Sequence, residues 1–162
     1  MNSQHYLEKL QNSEQFKNFM KENPDAFLCS GFFVIDKTGS DNKIHFDYFV
    51  NGKIFSFQLE QGIQLVPIET INNQIPEKII KVFDFDFKEV EKIIISRMKE
   101  EGIKNKIQKI LLSLQNRDGK CFLIGTVFIS SLGILRVNID LTEMKITDFE
   151  KKSFFDIMRK VK

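Results

Sequence analysis

Apolar and polar positions alternate most cleanly between Ile44 and Leu59. Ile44, Phe46, Tyr48 and Val50 interleave with His45, Asp47 and Phe49, and a second run, Lys53 to Leu59, follows Asn51-Gly52. Asn-Gly between two alternating runs predicts a β-hairpin closed by a type I′ turn, because both central residues of that turn need positive φ. Upstream, Ala26 to Asp36 is rich enough in β-branched and aromatic residues to form a strand, ending at the turn-rich stretch 37–42. A weaker strand signal follows from Ile63 to Ile68. Thr70 to Lys81 is a polar connection carrying Pro76.

The helical period appears in three places. Leu7 and Leu10 mark one stripe and Phe16, Phe19 and Met20 a second, out of step with the first. Ser13 between them is a plausible N-cap, so Gln4 to Glu22 reads as two short helices closed by Asn23-Pro24. A longer helix opens at Asp86, with Glu89 in capping-box position and Phe85 and Val90 placed as a hydrophobic staple. Val90, Ile93, Ile94 and Met98 form its stripe, and Gly102 suits the position just past its end. Strands at 107–115, 121–130 and 134–141 follow, the first pair joined by the 116–119 turn, with a short strand signal at 144–146. The pattern then predicts a C-terminal helix from Thr147, spanning 148–161, with Glu150 completing a capping box and Phe154, Ile157, Met158 and Val161 as its stripe.

These elements describe an α+β fold of antiparallel β-meanders packed against helices. Offsetting the chain by about 80 residues lays Leu10 on Val90, Thr38-Gly39 on Asp118-Gly119, and Phe55, Phe57 and Leu59 on Leu135, Val137 and Ile139. The 162 residues therefore read as one compact domain, either with two pseudo-repeated α-β-β-β halves, 1–70 and 83–150, or with two unrelated meanders. A chain of this length buries enough surface to fold without disulfides or metal. Its two cysteines, Cys29 and Cys121, are expected to be free and buried.

The second half resembles a PepSY-type module, in which a helix precedes a small antiparallel sheet. The residues that carry the likeness are the helix Phe87 to Glu101, the strand Leu135 to Asp140, and the continuation Asp140-Leu141-Thr142-Glu143-Met144-Lys145-Ile146. The family pattern places a Gly after the Thr, where this chain has Glu143. The resemblance implies a binding or inhibitory module without chemistry of its own.

Composition narrows the function classes. The net charge is +2, and the four arginines, Arg97, Arg117, Arg136 and Arg159, are scattered. Nucleic-acid readers instead cluster their basic residues and stack bases on aromatics, so nucleic acid is not an expected partner. No apolar run reaches the ~20 residues of a membrane span, and the polar N-terminus lacks a signal-peptide core, so the expectation is a cytoplasmic protein without integral membrane association.

Candidate chemistry is sparse. His45 and Asp47 share a strand face and could couple as base and orienter, although a solvent-facing polar side of an edge hairpin is the simpler explanation. Asp84 and Asp86 could pair for a cation, but Asp86 is already accounted for as a helix cap. No spacing of His and Cys matches a metal site, and no glycine pattern matches a nucleotide loop, so neither metal nor cofactor is expected. The basic residues Lys151, Lys152, Arg159, Lys160 and Lys162 could give the C-terminal helix a membrane-docking face, though its stripe more simply covers a sheet.

What remains is apolar surface. The first hairpin carries aromatics on both faces, so it is either covered by the chain's own helices or second half or it exposes a sticky face. On the latter reading Tyr48, Phe49, Phe55 and Phe57 form the candidate interaction surface. The function expected on this basis is that of a non-catalytic protein-interaction module, its partner being another protein or a second copy. The alternative is a carrier or sensor of a small apolar ligand held between sheet and helix.

Overall fold

The computed structural model describes residues 2–69, 74–80 and 84–153. Two helices open the chain, α1 (Ser3–Gln11) and α2 (Glu14–Glu22), followed by strands β1 (Phe27–Asp36), β2 (Lys43–Val50), β3 (Lys53–Gln58) and β4 (Gln64–Ile68). A third helix, α3 (Phe87–Glu100), precedes β5 (Ile107–Arg117), β6 (Lys120–Ile129), β7 (Gly133–Asp140) and β8 (Lys145–Ser153). All eight described strands join one antiparallel sheet in the order β4-β3-β2-β1-β5-β6-β7-β8.

That order reads the same from either end once β5 to β8 are taken as counterparts of β1 to β4. The central pair, β1 and β5, is antiparallel with Phe33 opposite Leu112, which relates the two halves by an approximate twofold axis through the middle of the sheet. β1 and β5 begin eighty residues apart, and so do β3 and β7. Each half has four strands rather than three, because the weak signals at 63–68 and 144–146 mark real outer strands. The helices also meet across the pseudo-axis: Ser3 N–H donates to Phe85 O at 2.9 Å, and Phe85 N–H donates to Ser3 Oγ at 3.2 Å.

Local chemistry explains the boundaries. Ser13 stands in extended conformation and its Oγ accepts the Phe16 amide at 3.2 Å, ending one helix and starting the next. Asn51 and Gly52 both have positive φ, 51° and 75°, as a type I′ turn demands. Asp118 and Gly119 repeat that geometry at 51° and 79° between β5 and β6. Asp86 caps α3 by accepting the Lys88 amide at 2.8 Å.

The core lies between the helices and one face of the sheet. Phe33, Phe46, Phe57, Leu112, Leu123 and Leu135 are all essentially inaccessible there. Phe85 and Val90, the two staple residues of α3, are buried beside them. Phe85 and Phe87 reach Phe33 edge to face at ring-centroid distances of 5.8 and 5.2 Å, tying α3 to the centre of the sheet.

The expected C-terminal helix does not start at Thr147. Residues 147–153 continue β8, with Arg136 opposite Glu150 and Val137 opposite Phe149 on β7. The capping box at Thr147 and Glu150 is a local preference worth about 1 kcal/mol. Leaving the β7 edge unpaired would forgo a whole ladder of backbone hydrogen bonds, and the ladder prevails. A register shift between Asn138 and Ile139 accommodates Thr147 as the extra residue. The remainder of the expected helix, 154–161, lies outside the described residues.

Candidate functional site: the sheet face away from the described helices

Alternation along each strand sends every second side chain away from the helices. The register shows which residues meet there. Phe32 on β1 lies between His45 on β2 and Ser113 on β5, and the row continues through Ile124 to Asn138. The adjacent row runs from Val34 through Leu111, Thr126 and Arg136 to Glu150. A third joins Lys109, Phe128, Ile134 and Lys152.

At the junction of the two halves, Phe32, Leu111, Ser113, Ile124, Thr126 and Phe128 line an open depression of about 370 Å³. Most of these side chains are half-buried by their neighbours, and Phe128 is 37% exposed. The described helices pack on the opposite face, so no described element crosses this depression. Polar and charged residues frame it: Arg136 opposite Glu150 beyond β6, and His45 beside Glu60 beyond β1.

Polar groups on the β1–β2–β3 part of the same face are partly paired with one another. Ser30 Oγ donates to Asp47 Oδ2 at 2.7 Å, and the Cys29 thiol donates to Asp47 O at 3.4 Å. His45 Nε2 lies 2.6 Å from Glu60 Oε1, which also accepts the Ile44 amide at 2.9 Å. The short His45 contact is not an aligned hydrogen bond, since Nε2 has no well-directed partner. Asp47 Oδ1 and Ser56 Oγ, opposite each other in the β2–β3 register, are buried and make no hydrogen bond. No hydrogen bond joins His45 to Asp47, so the structure does not assemble them as base and orienter. Asp84 is likewise engaged, accepting from Asn2 Nδ2 at 3.3 Å, beside the cap residue Asp86.

The aromatic surface expected from the sequence is placed elsewhere. Tyr48 and Phe57 face α2 and are 5% and 0% exposed; Phe55 is half-buried beside them. Phe16 and Phe19 of α2 cover all three, with edge-to-face distances of 5.2 Å from Phe16 to Tyr48 and 5.5 Å from Phe19 to Phe55. A single two-turn helix suffices because its two rings interdigitate with those of the sheet. Phe49 points to the uncovered face but packs on Phe27 at 5.5 Å and is only 9% exposed. These four residues are thus buried or half-buried within the chain itself. None of Leu111, Ile124 and Phe128 is singled out from the sequence, although β6 carries a usable signal. Its inward residues Leu123, Val127 and Ile129 alternate with outward Phe122, Ile124 and Phe128, so that strand too is apolar on both faces.

Both cysteines are free and buried. Burial, with Asp47 beside one thiol and Asp140 beside the other, pushes Cys29 and Cys121 up to about 11. At neutral pH both are thus thiols rather than thiolates, poor nucleophiles and poor metal ligands. Among the described residues no group of three or more His, Cys, Asp or Glu is arranged to hold a metal ion. No helix among them is long and apolar enough to cross a membrane.

No protein-family model matches the chain, and no curated protein matches it. Among solved structures, a putative lipoprotein from Clostridium difficile 630 is similar, with a TM-score of 0.58 at 9% sequence identity. The similarity covers 86% of this chain and 91% of that one. At this identity it shows a shared fold and nothing finer.

Proposed function

We propose that the protein is a non-catalytic interaction module that binds protein chains through the uncovered face of its sheet, with a second copy of itself as the first occupant. The observation that carries this reading is the apolar depression at the β1–β5–β6 junction, left open by the described helices. Apolar side chains grouped on an uncovered sheet face gain by association, and a charged frame around them restricts which surface can dock. A second copy needs no unseen component, and an interface on a twofold axis brings the same patch together with itself. The binding role implied by the PepSY resemblance points the same way, and the two unpaired thiols support a reducing, cytoplasmic setting.

Sedimentation across a concentration series tests this with the wild type and Phe128→Glu. The expected result is a concentration-dependent dimer that the substitution converts to monomer. Far-UV circular dichroism stays unchanged, because Phe128 lies outside the core. A wild type that remains monomeric at about 1 mM, where the driving force for association is below roughly 4 kcal/mol, overturns the reading.

A further inference from the structure

A second feature lies in the helix layer, at the C-terminal end of α3. The helix stops in a Schellman motif. Ile103 N–H donates to Met98 O at 2.8 Å, Gly102 N–H donates to Lys99 O at 3.1 Å, and Gly102 has a φ of 71°. That motif brings Ile103 against Met98, the apolar contact that usually accompanies it. With Ile95 and Ile107 these side chains form the floor of a cleft of about 540 Å³, within the ordinary range for small-molecule sites. Ile95 is 37% exposed, so part of this floor is uncovered.

The rim is basic. Lys37, Lys99, Lys104 and Lys106 line the cleft against a single carboxylate, Glu91, which is already paired with Lys37 at 3.0 Å. Four ammonium groups and one carboxylate leave three net positive charges. Lys99, Lys104 and Lys106 make no ion pair among the described residues. Lys99 complements the helix dipole in the last turn of α3, a sufficient structural reason for it. No such reason covers Lys104 and Lys106. Their segment is fixed to the β6–β7 turn, where Lys106 N–H donates to Ser130 Oγ at 3.0 Å and Asn105 Nδ2 donates to Ser130 O at 2.9 Å. The negative end of α3 opposes an anion with about half a charge, well short of three.

We propose that this cleft binds a free single-chain carboxylate amphiphile, its head on the lysine rim and its chain along Ile95, Met98, Ile103 and Ile107. The apolar floor excludes a fully polar anion, and the basic rim disfavours a neutral or cationic chain. Neither arginine nor aromatic lines the cleft, so it lacks the bidentate and stacking groups that select phosphates and nucleobases. Lysine provides isolated positive charge, which a small carboxylate head accepts.

This site lies away from the uncovered sheet face and is tested separately. Dodecanoate below its micellar concentration is titrated by calorimetry into the wild type, Lys104→Glu/Lys106→Glu, Ile95→Ser and Phe128→Glu. Saturable one-to-one binding is expected, weakened about tenfold or more by the lysine pair, by Ile95→Ser severalfold, and unchanged by Phe128→Glu. Shortening the chain by two carbons weakens it by up to roughly tenfold, and dodecanol binds more weakly than dodecanoate. Circular dichroism verifies that the exposed substitutions leave the fold intact. Absence of saturable binding, equal affinity for dodecanol, or indifference to the lysine pair overturns the proposal. So does association with phosphatidylglycerol vesicles in a protein that ignores dodecanoate.

Discussion

Glu77 Oε1 accepts the Gly119 amide at 2.6 Å, fastening the connection between the two halves to the first turn of the second. The other oxygen accepts the Asp118 amide at 2.9 Å, and Asn116 Nδ2 donates to Oε1 at 3.2 Å. Two residues on, Ile79 N–H donates to Leu28 O at 2.9 Å and the Ile79 side chain is buried in the core. The segment 74–80 is thus bound to β1 at one point and to the β5–β6 turn at another. Glu77→Ala removes the acceptor for two turn amides at once. It is expected to lower stability by about 1–3 kcal/mol, read as a lower urea midpoint, because hydrogen bonds to a charged partner exceed neutral ones. An unchanged midpoint means that water replaces the carboxylate without loss.

The Asn51-Gly52 turn tests the backbone alone. A Cβ at Gly52 would meet nothing within 4 Å, so any penalty comes from its φ of 75°. Gly52→Val is expected to cost about 1 kcal/mol or more, since β-branched residues resist that region. Gly52→Asn, which tolerates positive φ, loses less. Equal midpoints in urea for all three proteins contradict the turn assignment.

Features set by neighbours in sequence were legible from the chain alone. The Asn51-Gly52 and Asp118-Gly119 turns, the Ser13 break and the Asp86 cap each depend on a few adjacent residues, and each stands where its residues imply. Strand starts recur eighty residues apart, at Phe27 and Ile107 and at Lys53 and Gly133, even where identities do not. Failures came where long-range pairing decides. Thr147 to Ser153 looked helical by its caps, but the open edge of β7 lies far away in sequence, and pairing with it outweighs a cap. Tyr48, Phe55 and Phe57 looked unmatched, because nothing local reveals that Phe16 and Phe19 sit directly over them. The open depression was invisible for the same reason. Phe32 comes from one half and Leu111, Ile124 and Phe128 from the other, and only the β1–β5 pairing joins them.

The placement of the aromatic cluster has an energetic consequence. Phe57 is inaccessible and touches Phe16, Phe19 and Tyr48 at ring-centroid distances of 5.2–5.7 Å. Phe57→Ala is expected to cost about 3–5 kcal/mol, as truncations of buried phenylalanine do. Phe128→Ala, on the face away from the described helices and 37% exposed, should cost well under half of that in the monomer. Thermal or urea unfolding of the two variants measures the contrast. Similar losses at both positions place Phe128 in a covered core.

The thiols link stability to pH. Folding raises both cysteines from an ordinary value of 9.0 to about 11, chiefly by burial, so the folded state holds their protons more tightly than the unfolded chain does. The stability this contributes is complete below about pH 9 and is lost as pH climbs through 9 to 11. Across that window each thiol steepens the fall in unfolding free energy by up to roughly 1.4 kcal/mol per pH unit. Tyr48 is raised by burial as well, and its contribution begins higher, above its ordinary 10.0. The Cys29→Ala/Cys121→Ala protein should therefore show a shallower decline between pH 9 and 10, where Tyr48 contributes little. Its absolute stability is lower at pH 7, since two buried sulfurs leave small voids. In the native wild type both thiols should react slowly with Ellman's reagent at pH 8 and promptly in urea. Fast native reaction at either cysteine, or an identical pH slope in the double variant, shows that burial does not hold the thiols neutral.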